Sequence, residues 1–207
     1  MNPLWLTWAQ QLQAIAQNGM TYSENIYDIE RYEQVRALAA EILAAHTEVD
    51  VTQVLGLFRQ EEGYATPKVD VRGAVFRGNK ILLVKERSDG GWTLPGGWAD
   101  IGDSPAVAVE RELVEESGYR TRAIKLLALY DRNHPRHAHP PHLHHIYKLF
   151  FRCEIIGGTA TTSNETDDVR FFDRAEIPPL SLTRIVPSQI ARLFAHYDDP
   201  TLPTDFD

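Results

Sequence analysis

Four glutamates, Glu110, Glu112, Glu115 and Glu116, fall within seven residues of the stretch ERELVEESGY. A helix turns by about 100° per residue. With Glu112 at the origin, Glu116 lies about 40° to one side and Glu115 about 60° to the other, so the three carboxylates share an arc of about 100°. Glu110 falls about 160° from Glu112 and is expected to be ordinary surface. Three converging carboxylates are hard oxygen ligands of the kind that hold Mg²⁺ or Mn²⁺, ions that commonly complete their shells with phosphate oxygens. A run of like charges also reads as a solvated acidic face, but its surroundings argue against that reading. The Gly/Pro-rich loop GGWTLPGGWAD precedes it, Gly118 ends it, and Ala106, Val109 and Leu113 make an apolar stripe beside the acids. Arg111 has the spacing to pair with Glu115 at i,i+4.

The spacing extends beyond the helix. Gly97, five residues, Asp103, seven residues, then Arg111-Glu112-Leu113-Val114-Glu115-Glu116-Ser117-Gly118-Tyr119 resembles the Nudix box. The resemblance implies an α/β fold, the Nudix α/β/α sandwich with a mixed sheet. It also implies hydrolysis of a nucleoside diphosphate linked to a further moiety, X. It assigns metal binding to Glu112, Glu115, Glu116 and the Gly97 carbonyl, and orientation of the glutamates to Arg111. One position departs from the pattern, because the family usually has Glu where this chain has Asp103. The shorter side chain keeps the charge and is expected to make a weaker or water-mediated contact with the metal cluster.

Upstream, LTWAQQLQAIAQNGMTYSENIYDIERYEQVRALAAEIL and the later LPGGWADIGDSP resemble the subfamily with an added N-terminal helical domain. That subfamily is associated with CDP-choline and ADP-ribose pyrophosphatases, and its members are often homodimers. The resemblance therefore implies a small-molecule nucleotide substrate, Mg²⁺ or Mn²⁺ as cofactor, and a homodimer. CDP-choline is the first substrate candidate and ADP-ribose the second. Two rival readings remain open: a nucleoside triphosphate pyrophosphohydrolase, and a non-catalytic nucleotide-binding regulator.

Hydrolysis needs a proton acceptor near the attacking water. Either a helix glutamate or an acid of TSNETDDVRFFD supplies it. Among Glu165, Asp167 and Asp168, Glu165 is the choice, set against a plain solvated turn. Arg87, Lys85 and Arg72 offer charge-assisted hydrogen bonds to phosphate. Of these Arg87, at a strand end before SDGGW, is assigned to substrate binding. Trp98 directly follows Gly97 and is assigned to substrate contact, with structural packing as the alternative. The segment NHPRHAHPPHLHH holds six of the eight histidines. Such density suggests a transition-metal site, but three prolines and no helical period leave no tetrahedral spacing. A mobile loop beside the active site, able to touch X, is the expectation.

These residues need elements to hold them. Residues 3–17 carry Trp5, Trp8, Ala9, Leu12, Ile15 and Ala16 in one helical stripe. A second helix is expected after Asp28, burying Val35, Leu38, Ala39, Ile42 and Leu43. A third starts at Asp50, where Asp50 and Gln53 have capping-box spacing, and buries Val51, Val54, Leu55 and Phe58. Residues 1–62 thus form a small all-helical domain, and residues 68–200 form the Nudix domain. VDVRGAVF and KILLVKER read as a hairpin around Gly78 and Asn79. Ser104 and Pro105 start the glutamate helix and Gly118 ends it. Strands follow at Ala123–Tyr130, Ile146–Glu154 and Val169–Asp173, then a helix from Pro187 to Tyr197. The tail DDPTLPTDFD is expected to be poorly ordered.

Composition sets the outer bounds. The 207 residues are 43% hydrophobic with a net charge of −8. That acidity argues against a nucleic-acid partner, whose phosphates need Lys and Arg. No apolar run reaches the roughly 20 residues that span a bilayer, so no membrane association is expected. The start lacks the basic residues of a secretory signal. With one cysteine, a cytoplasmic location is expected.

Overall fold

The computed structural model describes residues 3–207 and divides into two compact units, Met1–Pro67 with Pro141–His145, and Lys68–Pro140 with Ile146–Asp207.

The first unit is a stack of three helices, α1 (Leu4–Tyr22), α2 (Ile26–Ala45) and α3 (Val51–Arg59). The Asn25 side chain accepts from the Tyr27 amide, so α2 begins earlier than expected, and Asp50 caps α3 by accepting from the Thr52 amide. Small residues meet in its core, where Ala9, Ala39 and Ala40 are fully buried beside Leu6, Leu43, Val54 and Phe58. The buried residues of α1 are Leu6, Ala9, Gln13, Ala16 and Gln17; of the expected stripe Ala9 and Ala16 are buried, and Trp5 and Leu12 pack partly buried against the core. Trp8 and Ile15 are more than half exposed, as are Leu4 and Tyr22. These four stand on a second apolar stripe, about 160° around the helix from the first. Helix α1 is apolar on two faces, so the expected stripe took in Trp8 and Ile15 from the outer one. Leu38 of α2 is likewise exposed.

The second unit holds seven strands: β1 (Lys68–Arg77), β2 (Lys80–Glu86), β3 (Trp92–Thr93), β4 (Tyr119–Asp131), β5 (Ile146–Gly158), β6 (Thr166–Asp173) and β7 (Asp205–Phe206). Its helices are α4 (Pro105–Ser117) and α5 (Pro187–Asp198), with 3₁₀ turns at Pro135–His137 and Arg174–Glu176. The strands run in the order β3-β2-β1-β5-β4-β7, with β6 paired to β2. The sheet is mixed, since β1 runs parallel to β5 and β4 to β7 while the other pairs are antiparallel.

Alternation along β1 sends its side chains to two cores. Val71 and Val75 pack with Ala108, Val109 and Leu113 of α4. Ala74 packs with Ile190, Leu193 and Phe194 of α5. Helices thus cover both faces, the α/β/α layering of the expected fold class. Gly73 faces α4, and a Cβ built there would stand 2.2 Å from the buried Leu113 Cδ1, so helix and sheet meet where no larger residue fits.

Strands β4, β5 and β6 are longer than expected. The first residues of β4 alternate buried Tyr119 and Thr121 with exposed Arg120 and Arg122, a weak apolar signal. The tail is not loose. Its β7 pairs with β4 through Ala128 and Leu129. The Tyr130 hydroxyl and the Arg192 guanidinium both donate to Asp205, and Lys125 donates to the carbonyls of Pro200 and Leu202. No helix among the described residues is long and apolar enough to cross a membrane.

Candidate active site

The glutamate helix is fixed by its ends. The Ser104 hydroxyl accepts from the Val107 amide, Pro105 occupies the first turn, and Gly118 closes the helix in the left-handed region. At the far end, the Thr166 hydroxyl donates to the Glu116 carbonyl at 2.9 Å, which ties α4 to the start of β6.

The acids then part company. Glu116 is 6% exposed, and its carboxylate accepts from the Gly96 amide at 2.8 Å. Burial pushes its carboxyl up to about 7, opposed by the charge of Arg72 and by the Gly96 hydrogen bond. Burial also raises Glu112, opposed by Arg111. Glu115 is more exposed and reaches Arg111 at 3.2 Å. Arg111 Nη1 sits between these two acids, 2.8 Å from Glu112, while Nε reaches Asp103 at 3.1 Å and Nη2 lies 3.0 Å from Asp100. One guanidinium therefore gathers four carboxylates, and Asp103 takes its place in that set as a partner of Arg111.

Gly96 and Gly97 make the wall opposite the helix. Gly96 has a φ of +144°, and a Cβ there would stand 2.0 Å from the Val71 carbonyl oxygen. At Gly97 a Cβ would stand 2.7 Å from Glu112 Oε2, so the acid occupies the space a side chain would fill. The Gly97 carbonyl accepts from the Val71 amide at 2.8 Å, which leaves its second lone pair. Glu112 and Glu116 both approach this wall, while Glu115 is held outside it by Arg111; oxygen donors of this kind suit a hard divalent cation.

Glu110 is not ordinary surface. It accepts from the Ala123 amide at 2.7 Å, at a register irregularity of β4 against β5, and so satisfies a bulged strand. Glu165 is exposed. Its carbonyl accepts from the Arg87 amide, and its charge bears on buried Glu86. Arg87 is turned to Asp167 at 2.8 Å and to the Ser163 carbonyl. Trp98 is 44% exposed and forms a bridge with Asp70.

Arg72 does not face solvent. It makes a two-pronged pair with Asp70 and donates to the Leu94 carbonyl, and Lys148 reaches the same aspartate at 2.6 Å. The two cations hold Asp70 down to about 2 against its burial, and burial lowers Lys148 to about 8. The sequence offers Arg72 to phosphate but does not reveal its pairing with Asp70 and Lys148, nor Glu86, which is 3% exposed and paired with Arg184 at 2.8 Å. The only signal was a charged residue inside each apolar strand. The histidine run is not a free loop throughout, since His137 and His139 are buried and His139 Nδ1 lies 2.8 Å from the Leu182 carbonyl.

Residues 66–194 match the family model described as the NUDIX domain. The chain belongs to the Nudix family. Residues 3–58 match a second model, described as the UDP-X-like, N-terminal oligomerisation domain. The chain is 47% identical over 203 residues, 98% of its length, to the Bacillus subtilis (strain 168) protein named "Putative ADP-ribose pyrophosphatase YjhB", covering 97% of that protein. It is 33% identical to the ADP-ribose pyrophosphatase of Methanocaldococcus jannaschii, over 57% of this chain and 69% of that one. A crystal structure of UDP-X diphosphatase superposes with a TM-score of 0.64 at 31% identity, covering 98% of each chain. The chain is accordingly a Nudix hydrolase, a family that generally uses divalent metal ions.

Proposed function

We propose that the chain is a Mg²⁺- or Mn²⁺-dependent pyrophosphohydrolase that splits a nucleoside diphosphate-X into a nucleoside monophosphate and phospho-X. The observation that carries this is the approach of Glu112 and Glu116 to the Gly96-Gly97 wall, with Arg111 gathering the outer acids. ADP-ribose moves ahead of CDP-choline as the candidate, because two relatives are named for it.

In this reading Glu112, Glu115, Glu116 and the Gly97 carbonyl hold the ions. The bound ions would polarise the pyrophosphate and lower the pKa of a coordinated water. Arg111 fixes the Glu112 carboxylate, so that its oxygens are set before substrate arrives. Glu165, exposed at the loop joined to β2, accepts the proton of the attacking water. Trp98, with nearly half its surface open, contacts the substrate. Arg87 reaches phosphate only by leaving Asp167, and of the assigned residues it is the one the geometry supports least.

The domain division is read as a helical domain over residues 1–62 and a catalytic domain over 68–200. A homodimer is read through the first of these. The open stripe Leu4, Trp8, Ile15 and Tyr22 and the match to an oligomerisation domain support it. A cytoplasmic location accords with a single, buried, free cysteine.

A substrate panel tests the activity: ADP-ribose, CDP-choline, a UDP-sugar and nucleoside triphosphates, each with Mg²⁺ and with Mn²⁺, and products separated by ion exchange. Release of AMP and ribose 5-phosphate from ADP-ribose is expected. Pyrophosphate from triphosphates as the dominant product would favour the rival enzyme. Mg²⁺-dependent binding without any turnover would favour a regulator.

A further inference from the structure

Two histidines of the run meet an acid that the reading above leaves unused. His134 and His137 lie at the two ends of a 3₁₀ turn after β4, and Asp207 follows β7. One nitrogen of each histidine and one oxygen of Asp207 lie within 4.8 Å of one another. His137 Nε2 stands 3.0 Å from Asp207 Oδ1, and His134 Nδ1 stands 3.7 Å from the same oxygen. Ligand atoms held at ordinary zinc distances in a tetrahedron are about 3.4 Å apart. The separations of 3.0 and 3.7 Å bracket that value.

The cluster also has part of the support that ligating side chains need, at its carboxylate. The Asp131 amide donates to Asp207 Oδ2, which leaves Oδ1 turned to the histidines. The Tyr130 ring packs on His137 with centroids 4.2 Å apart. His137 is buried, so its ring is held in place by the packing around it. The pairing of β7 with β4 brings residues 70 and 73 positions apart in sequence to one place.

We propose that His134, His137 and Asp207 form a second metal site, selective for a borderline divalent ion of the Zn²⁺ class. Two imidazoles and one carboxylate suit such an ion, whereas the all-oxygen glutamate set suits Mg²⁺. Binding replaces the proton between His137 Nε2 and Asp207 Oδ1, which passes to Nδ1 or to solvent, and no electron is transferred. Three protein ligands leave a fourth position for water. Arg136 competes for this place: its Nε lies 2.7 Å from Asp207 Oδ1 and 3.4 Å from His137 Nε2. The guanidinium must withdraw when the ion enters. The site joins the turn after β4 to β7 and would lock the tail onto the sheet.

The test is calorimetric titration of Zn²⁺ into the untagged full chain in excess Mg²⁺. One Zn²⁺ per chain is expected at this site. His134→Gln and Asp207→Asn should each weaken it at least tenfold, Arg136→Gln should tighten it, and Glu115→Gln should leave it unchanged. His134 is exposed, so its variant tests the ligand with little risk to the fold. Equal Zn²⁺ affinity in the wild type, His134→Gln and Asp207→Asn would overturn the proposal, as would no 1:1 binding at micromolar Zn²⁺.

Discussion

The Gly96 amide donates to the Glu116 carboxylate across 2.8 Å, joining the most buried acid of α4 to the loop that faces it. The hydrogen bond does not offset burial, and Glu116 rises from 4.5 to about 7. Between those two pH values the folded chain holds a proton that the unfolded chain has lost. Stability therefore falls as pH rises through that window, by ~3 kcal/mol for the full shift. Without divalent cation, Glu116→Gln should remove this slope and melt higher than wild type above about pH 7. Thermal melts in chelator across pH check it, and parallel curves for the two proteins would contradict it. The same variant should lose Mg²⁺-supported turnover by orders of magnitude.

Arg111 serves four carboxylates at once, and a lysine cannot reproduce its planar fork. Arg111→Lys should leave the fold intact and lower metal affinity or kcat by about 10–100-fold. Activity measured against Mg²⁺ concentration separates the two effects. Wild-type Mg²⁺ dependence and wild-type kcat together would show that Arg111 does not position the acids.

Gly97→Ala places a methyl 2.7 Å from Glu112 Oε2. The atom it meets is the end of a flexible side chain, so the carboxylate moves and the fold survives. A shift of this size should cost about 10²-fold in turnover. Circular dichroism is expected to match wild type while the assay does not. Gly96→Ala instead meets the Val71 backbone oxygen and should give little folded protein.

Asp205 is shared by the Tyr130 hydroxyl and Arg192. Asp205→Ala should cost about 1–3 kcal/mol, because it leaves both partners unmet. That corresponds to a fall in Tm of roughly 2–12 °C for a chain of this size. A Tm within a degree of wild type would mean that the tail adds little to stability.

What the sequence disclosed was local. Ser104, Pro105 and Gly118 bound a helix whose caps lie within a few residues of the acids they fix, so both the helix and its acidic arc were legible. Contacts that depend on distant pairing were not. Glu110 looked like surplus charge because its partner, the Ala123 amide, appears only where β4 slips against β5. Glu86 and Arg184 are 98 positions apart, and nothing near either one announces the other. Asp70 and Lys148 face each other only through the parallel register of β1 and β5. A two-residue strand such as β7 has too few side chains to show any period. The apolar stripe of α1 was visible, but its two faces could not be ranked without knowing which one the alanines of α2 would meet.

Gly73 carries no chemistry and touches no acid, yet it sets how deep Glu112 and Glu116 sit. Leu113 lies between them in sequence and occupies the volume that any side chain at position 73 would need. Exchange of that hydrogen for a methyl would raise the middle of α4 from the sheet and lift both acids away from the Gly96-Gly97 wall. A screen that converts each residue to alanine and omits glycines would never find this dependence. Neither would a search confined to side chains that can bind an ion. The site's dimensions are held, in part, by an atom count at a position with nothing to offer a ligand.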